Sequence, residues 1–259
     1  MSVTATAPGS VTTIFVPQDG EASLGVSFAT ADGARATVSP ASATTIVLDG
    51  DPASVAPVSD VLRRLGITAR VEIETEVPIG CGFGVSGAAT LATALAANQV
   101  RGLGHDRARL VEAAHRAEVA AGTGLGDVFI QDRGGLVWDQ GEGLRRIART
   151  DRVQYTAFGG IATADVLGDQ RALRRVEKVG REVLSSLDPR DGLAPLFEAS
   201  WGFARRTGLV SEQVEAVVAD VQRAGGTATM AMVGETVLSV DGGPLDGETR
   251  VTPDGATLC

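Results

Sequence analysis

Lysine is almost absent from this sequence: Lys178 is the single one among 23 basic residues. Val179 follows it, which excludes a Walker-type phosphate loop, since that needs a lysine followed by Ser or Thr after its glycines. Aromatic residues make up 4%, and the net charge of -9 goes with a pI near 4.8. A nucleic-acid-binding surface needs the opposite sign, so no nucleic-acid partner is expected. Acidic, lysine-poor and aromatic-poor composition hints at a salt-adapted source, and an arginine-favouring, GC-rich genome would leave a similar trace. Cys81 and Cys259 form no C-x-x-C pair and imply neither a zinc site nor a disulfide framework. With His105 and His115 as the two histidines, a histidine-rich metal site is excluded as well. No run of about 18 apolar residues occurs, so no membrane span is expected. The opening "MSVTATAPGS" has neither a basic nor an apolar leader segment, and a cytoplasmic protein is expected.

What is present is ample core material: 259 residues, 44% of them hydrophobic, enough for one large domain or two small ones. Four short β-like runs, "SVTATA", "LGVSFAT", "RATVSP" and "TTIVLD", are separated by Gly, Pro and Asp turn signals. A helix is expected from Ser54 to Leu65, stopped by Gly66. In "VEIETEV", Val71, Ile73, Thr75 and Val77 share one face and Glu72, Glu74 and Glu76 the other, the period of a half-wet strand. "AATLATALAANQV" is apolar nearly all round and reads as a buried helix. Asp106 can cap a further helix to about Ala121. A glycine turn, "GTGLGD", then leads into a hairpin through "GGLVWD" and "LRRIAR", and "VQYTAFG" into one more strand. Helices are expected at Asp169–Leu187, Leu193–Arg206 and Ser211–Ala224, followed by strand-like "TATMAMV" and "TVLSV". The pattern predicts an α+β fold with two lobes sharing one core.

The segment Pro78–Gly87, "PIGCGFGVSG", places four glycines between a strand and a helix. Gly82, Gly84 and Gly87 fit G-x-G-x-x-G, but the alternating strand before them lacks the all-apolar character of a dinucleotide-binding first strand. "GVSGA" approaches an esterase serine turn at Ser86, but no histidine follows His115 to complete a triad in that fold's order. Glycines whose N–H groups face one anion, joined to a helix N-terminus near Ser86, make a phosphate nest without lysine. A tight turn with Ser86 as an ordinary N-cap fits the isolated loop equally well.

Taken with its surroundings, the loop resembles the central motif of the GHMP kinases, in the spelling Gly82-Phe83-Gly84-Val85-Ser86-Gly87-Ala88. "APGSVTTIF" (Ala7 to Phe15), "AHRAEVAAGTGLGDV" (Ala114 to Val128) and "GGTATMAMVG" (Gly225 to Gly234) match that superfamily's other motifs in order, over nearly the whole chain. The combination with "GTGLGD" is most similar to the archaeal pantoate kinases. The resemblance implies a two-lobed GHMP kinase fold, with a ribosomal protein S5 domain 2-like lobe over 1–150 and an α+β lobe over 151–259. It implies ATP-dependent phosphorylation of a small alcohol, here the primary hydroxyl of pantoate, in coenzyme A synthesis. Mevalonate, homoserine or shikimate as acceptor, or a silent binding module, are the alternatives. By the same resemblance Pro78, Gly80, Gly82, Phe83, Gly84, Val85, Ser86, Gly87 and Ala88 would cradle ATP, and Ser86 and Glu118 would hold Mg²⁺. Asp127 would accept the hydroxyl proton, and Ser10, Thr12 and His115 would meet the acceptor. Ser10 stands where many members carry lysine. Arg133, Arg145 and Arg146 are the candidate grips for a carboxylate, because Asp139 stands where an arginine is expected. A homodimer is among the assemblies such a resemblance implies. Taken singly, Asp127 would be a turn cap, Glu118 a solvated helix charge, His115 a helix-face residue, Trp138 and Trp201 packing residues, and Cys81 a buried filler.

Overall fold

The computed structural model of the chain describes residues 1–18, 23–77, 79–124, 126–160, 170–232 and 234–259. It opens with two long strands, β1 (Val3–Pro17) and β2 (Ser23–Pro40), paired antiparallel from Val3↔Val38 to Pro17↔Ser23. This corrects the expectation of short runs divided by turns. Pro8-Gly9 marks a register shift inside β1, and Asp32-Gly33 lies within β2. A Cβ on Gly33 would stand 2.1 Å from the Ala7 carbonyl oxygen, so these glycines permit backbone crowding at a bulge and do not end a strand.

The chain continues through β3 (Thr45–Leu48), β4 (Asp51–Pro52), α1 (Ala56–Arg64), β5 (Ala69–Thr75), α2 (Val85–Arg101) and α3 (Arg107–Ala121). Alternation in β5 runs as expected, with Val71 and Ile73 buried and Glu72 and Glu74 exposed. The alanine-rich α2 is buried on nearly every side, and its small side chains let it lie close against β1 and β2. Asp106 caps α3, its side chain accepting from Arg109 N–H at 2.8 Å. The glycine turn after α3 opens into a helix the sequence reading missed, α4 (Asp127–Arg133). The expected hairpin follows as β6 (Leu136–Asp139) and β7 (Arg145–Ile147).

Next come β8 (Arg152–Gly160), α5 (Gln170–Ser186), α6 (Leu193–Thr207), α7 (Glu212–Arg223), β9 (Thr227–Met230) and β10 (Gly234–Val240). Asp169, the expected first residue of α5, lies outside the described residues. Two further strands escaped the sequence reading, β11 (Gly247–Arg250) and β12 (Thr257–Leu258). They lack apolar alternation and exist because a partner edge is available: β11 pairs β8 and β12 pairs β1.

The strands form two sheets. One runs β12-β1-β2-β5-β3-β4 with β6 attached to β2 and β7 to β6; the other runs β11-β8-β10-β9. The core is divided where a single one was expected. One cluster packs β1, β2 and β5 against α1, α2 and α3, through residues such as Ile73, Leu62, Leu91 and Leu110. The larger one joins the first sheet to the second half of the chain, with Phe28 stacked on Phe197 at 6.2 Å and Phe15 edge-on to Phe203 at 6.0 Å. Trp138 is buried in that cluster and Trp201 packs against it, as packing residues would.

Candidate active site

The glycine loop between β5 and α2 is held open by backbone geometry. Gly80, Gly82 and Gly84 have φ of 79°, 85° and 61°, a region that disfavours side chains. Crowding reinforces the requirement: a Cβ on Gly84 would lie 2.1 Å from Ser10 Oγ, and one on Gly82 2.9 Å from Ala231 Cβ. The loop is pinned from both sides. Ser10 N–H donates to the Phe83 carbonyl at 2.9 Å, and Thr236 Oγ1 donates to the Cys81 carbonyl at 2.7 Å. Phe83, Val85 and Ala88 are buried, and Cys81 is buried as a filler; of the four, Val85 lines the cleft. Pro78 lies outside the described residues.

Gly84, not Ser86, is the N-cap of α2, and no side chain caps that end. The first N–H groups of α2 are therefore available to an anion, with the helix dipole behind them. Ser86 is released from capping. Its hydroxyl donates to Glu118 Oε1 at 2.9 Å. Thr90 donates to the same oxygen at 2.8 Å, and Thr123 to Oε2 at 2.7 Å. Glu118 is 2% exposed, so it is not a solvated helix charge. Burial pushes its carboxyl above the usual carboxylate range, against the pull of those three hydroxyls. Among the described residues no group of three or more His, Cys, Asp or Glu side chains stands ready for a metal.

Asp127 begins α4 and faces the same space. Ser10 Oγ donates to its Oδ1 at 2.8 Å, and burial again raises the carboxyl above its ordinary range, against that hydrogen bond. Both Asp127 Oδ2 and Glu118 Oε2 point toward Gly124, where a built Cβ would be 3.0 Å from the first and 3.5 Å from the second. Gln131, one turn after Asp127, donates to Gly84 O at 2.7 Å and to Ser10 Oγ at 3.2 Å.

Thr12 shares a 2.9 Å hydrogen bond with Ser27, and both line the cleft. His115 lies on the buried side of α3, its ring 4.7 Å from that of Phe129, and lines the cleft beside Asp127. The three arginines separate clearly. Arg146 Nε donates to the carbonyls of Arg133 and Gly134 at 2.9 and 2.8 Å, and Arg145 pairs with Glu142. Arg133 lines the cleft; so does Asp139, whose Oδ1 accepts from Gly141 and Gly143 N–H at 2.8 and 3.2 Å. The cleft holds about 1130 Å³, and part of its wall is apolar, with Leu48, Val55, Pro57 and Ile73 among its lining residues.

Thr90, Thr123, Gln131 and Ser27 were missed in the sequence. Thr90 lies one helical turn from Ser86, and Gln131 one turn from Asp127. The second spacing becomes visible only once α4 is known to be a helix.

The site thus combines a glycine loop that opens an uncapped helix with two buried carboxylates, one lining the cleft and one behind it. Residues 55–135 match the family model for the GHMP kinases N terminal domain. A solved structure titled as a phosphotransferase related to the CoA biosynthesis pathway superposes with a TM-score of 0.84 at 22% identity, covering 100% of this chain and 99% of that one. A homoserine kinase from Cytophaga hutchinsonii superposes with a TM-score of 0.67 at 16% identity, covering 100% and 97%. The chain has the GHMP kinase fold. Within that class it is similar to archaeal pantoate kinases. The one from Methanospirillum hungatei is 26% identical over 90% of this chain and 85% of its own length. The one from Methanocaldococcus jannaschii is 28% identical over 64% of this chain and 62% of its own.

Proposed function

We propose that this GHMP kinase transfers the terminal phosphoryl group of ATP to the primary hydroxyl of pantoate, giving 4-phosphopantoate. The observation that carries this reading is the convergence of Asp127 and Ser86 on one cleft beside the glycine loop, with buried Glu118 directly behind it, bonded to the cleft-lining Ser86 and Thr123. The residues suit the groups they would hold. Gly80, Gly82 and Gly84 bring the loop backbone to the cleft beside the uncapped end of α2, which suits phosphates, and the apolar part of the wall suits a base. Ser86 and Glu118 offer two hard oxygen donors, which fits a Mg²⁺ ion that fills its remaining positions with water and phosphate oxygens. When bound, that ion supplies neutralisation of phosphate charge.

The chain's own part is placement and one proton. The acceptor oxygen bonds to the γ-phosphorus, the bond to the bridging oxygen breaks, ADP leaves with that electron pair, and the hydroxyl proton passes to Asp127. Ser10 occupies Oδ1 of Asp127, which leaves Oδ2 for the acceptor. Arg133 is the cleft-lining member of the three candidate cations for the acceptor carboxylate, and Thr12 and His115 line the same cleft, while Ser10, buried behind it, acts through its hydrogen bond to Asp127. Asp139 on the same wall favours a second reading, an acceptor that also carries an amine, as homoserine does. Phosphorus NMR of full-length enzyme with Mg²⁺ and ATP, offered each acceptor singly, separates the two. A new phosphomonoester with pantoate supports the first reading; one with homoserine alone replaces it.

A further inference from the structure

Gln131 is fully buried, yet it is used neither as packing nor by the reaction described above. Its amide nitrogen donates two hydrogen bonds, to the Gly84 carbonyl at 2.7 Å and to Ser10 Oγ at 3.2 Å. Gly84 belongs to the phosphate loop and Ser10 to β1, while Gln131 itself stands on α4 one turn from Asp127. A Cβ built on Gly84 would lie 2.1 Å from Ser10 Oγ, 2.9 Å from Gln131 Nε2 and 3.3 Å from Asp127 Oδ1, which measures how tightly these groups converge. Its Oε1 is buried with no hydrogen-bond donor from the protein and abuts Gly87, 2.8 Å from where a Cβ would be. A buried acceptor without a donor is costly and is kept where a site needs the rest of the side chain.

The donor sense of these bonds matters. A serine hydroxyl has one proton. Because Gln131 donates to Ser10, the Ser10 proton is committed to Asp127 Oδ1, and Asp127 Oδ2 is what remains for a hydroxyl of the acceptor. Turning the amide over would set Oε1 against the Gly84 carbonyl, acceptor to acceptor, so the Gly84 bond fixes the orientation. We infer that Gln131 is a positioning residue that couples the phosphate loop to the proton-accepting pair, its amide fixing the Ser10 hydroxyl as a donor to Asp127 while holding Gly84 in place. This rests on the kinase reading for its catalytic meaning, and the hydrogen-bond relay is testable without turnover.

The test uses the full chain with Gln131→Met, Gln131→Glu, Ser10→Ala and the Ser10→Ala/Gln131→Met double variant. In the ligand-free protein, the two side-chain amide protons of Gln131 are followed by ¹⁵N–¹H NMR. Ser10→Ala is expected to move one of them and leave the other, bonded to Gly84, in place; neither moving overturns the relay. In turnover, Gln131→Met and Ser10→Ala are each expected to lower kcat by about tenfold or more with the acceptor KM within about twofold. The double variant is expected to be no worse than the weaker single within about twofold, because the two residues act as one unit. Losses that multiply would overturn the coupling. Gln131→Met and Gln131→Glu are also expected to weaken binding of Mg²⁺ with a non-hydrolysable ATP analogue, measured by calorimetry, whereas Ser10→Ala leaves it within about twofold. Equal weakening by Ser10→Ala would overturn the separate Gly84 role. Should the wild-type chain turn over none of the acceptors, the kinase reading falls, and the amide resonances still decide the relay. Should Gln131→Met fail to fold, the near-isosteric Gln131→Glu and the Ser10→Ala spectrum carry the same decision.

Discussion

Asp127 and Glu118 lie close together around Gly124, and burial is the first cause of the upward shift in both. A raised carboxyl favours its protonated form in the folded chain. Its contribution to stability is complete below the unfolded carboxylate value and is lost as pH rises through the raised folded value. Ionising Asp127 in the free protein therefore costs stability. Asp127→Asn is expected to melt higher than wild type at neutral pH, with the difference shrinking as pH falls toward the carboxylate range, as calorimetric scans at several pH values would record. The same substitution is expected to lower kcat by about 10²–10⁴. Activity of the wild type is expected to fall on acidification at a pH above the ordinary carboxylate range, because the base must be ionised to accept a proton. Glu118→Gln is expected to abolish the rise in melting temperature that Mg²⁺ with ADP gives the wild type. These two carboxylates, with Ser86, were legible in the sequence through the order of its motifs. The hydroxyls and the amide that orient them were not, because a lone Thr or Gln carries no pattern until the helix that turns it inward is known.

The helix α2 shows what an element needs from its ends. Gly84 and Gly102 flank it, both left-handed, with φ of 61° and 59°. Gly102 has open space around it, whereas a Cβ on Gly84 would meet Ser10 Oγ at 2.1 Å. Gly102→Ala is expected to cost about 1–2 kcal/mol of stability from backbone strain alone and to leave kcat near wild type. Gly84→Ala is expected to cost more and to lower turnover by tenfold or more, about 1.4 kcal/mol for each factor of ten. Denaturant unfolding and steady-state assays of the two variants side by side test this difference. Elements with strong periodicity, β5, α2, α3, α6 and α7, were readable to within a residue or two at their ends. The misses were α4, the two-residue β4 and the terminal strands β11 and β12. At seven residues, flanked by Gly126 and Gly134, α4 is too short to build a period and is punctuated like a turn. The error in β1 and β2 runs the other way: turn residues inside them serve a bulge.

Across the whole molecule, aromatic packing ties the two halves of the chain. Phe28 of β2 stacks on Phe197 of α6, and Phe15 of β1 meets Phe203. At the other end of the chain, β12 returns to pair with β1. A chain interlocked in this way is expected to unfold in one transition. Phe197→Ala is expected to destabilise it by about 3–5 kcal/mol while keeping that transition single, measured by far-UV circular dichroism and tryptophan fluorescence together. Two separated transitions would contradict this coupling. The arginine–carboxylate pairs on the surface, such as Arg70–Glu72 and Arg181–Glu177, are half exposed and add little individually. Their legibility in sequence was low for the same reason: an exposed pair leaves no constraint on its neighbours. The fold class was legible because hydrophobic period and the ordered motifs agree, and the division of the core was not, because burial depends on which faces meet. The central claim is that this cleft moves a phosphoryl group and that Asp127 takes the proton. The measurement that tests it most directly is ADP formation with Mg²⁺, ATP and pantoate by wild type and by Asp127→Asn, at low and high KCl. Turnover by the wild type that falls at least a hundredfold in the variant is the predicted result. Equal rates in the two proteins, or no pantoate-dependent ADP from the wild type, would contradict it.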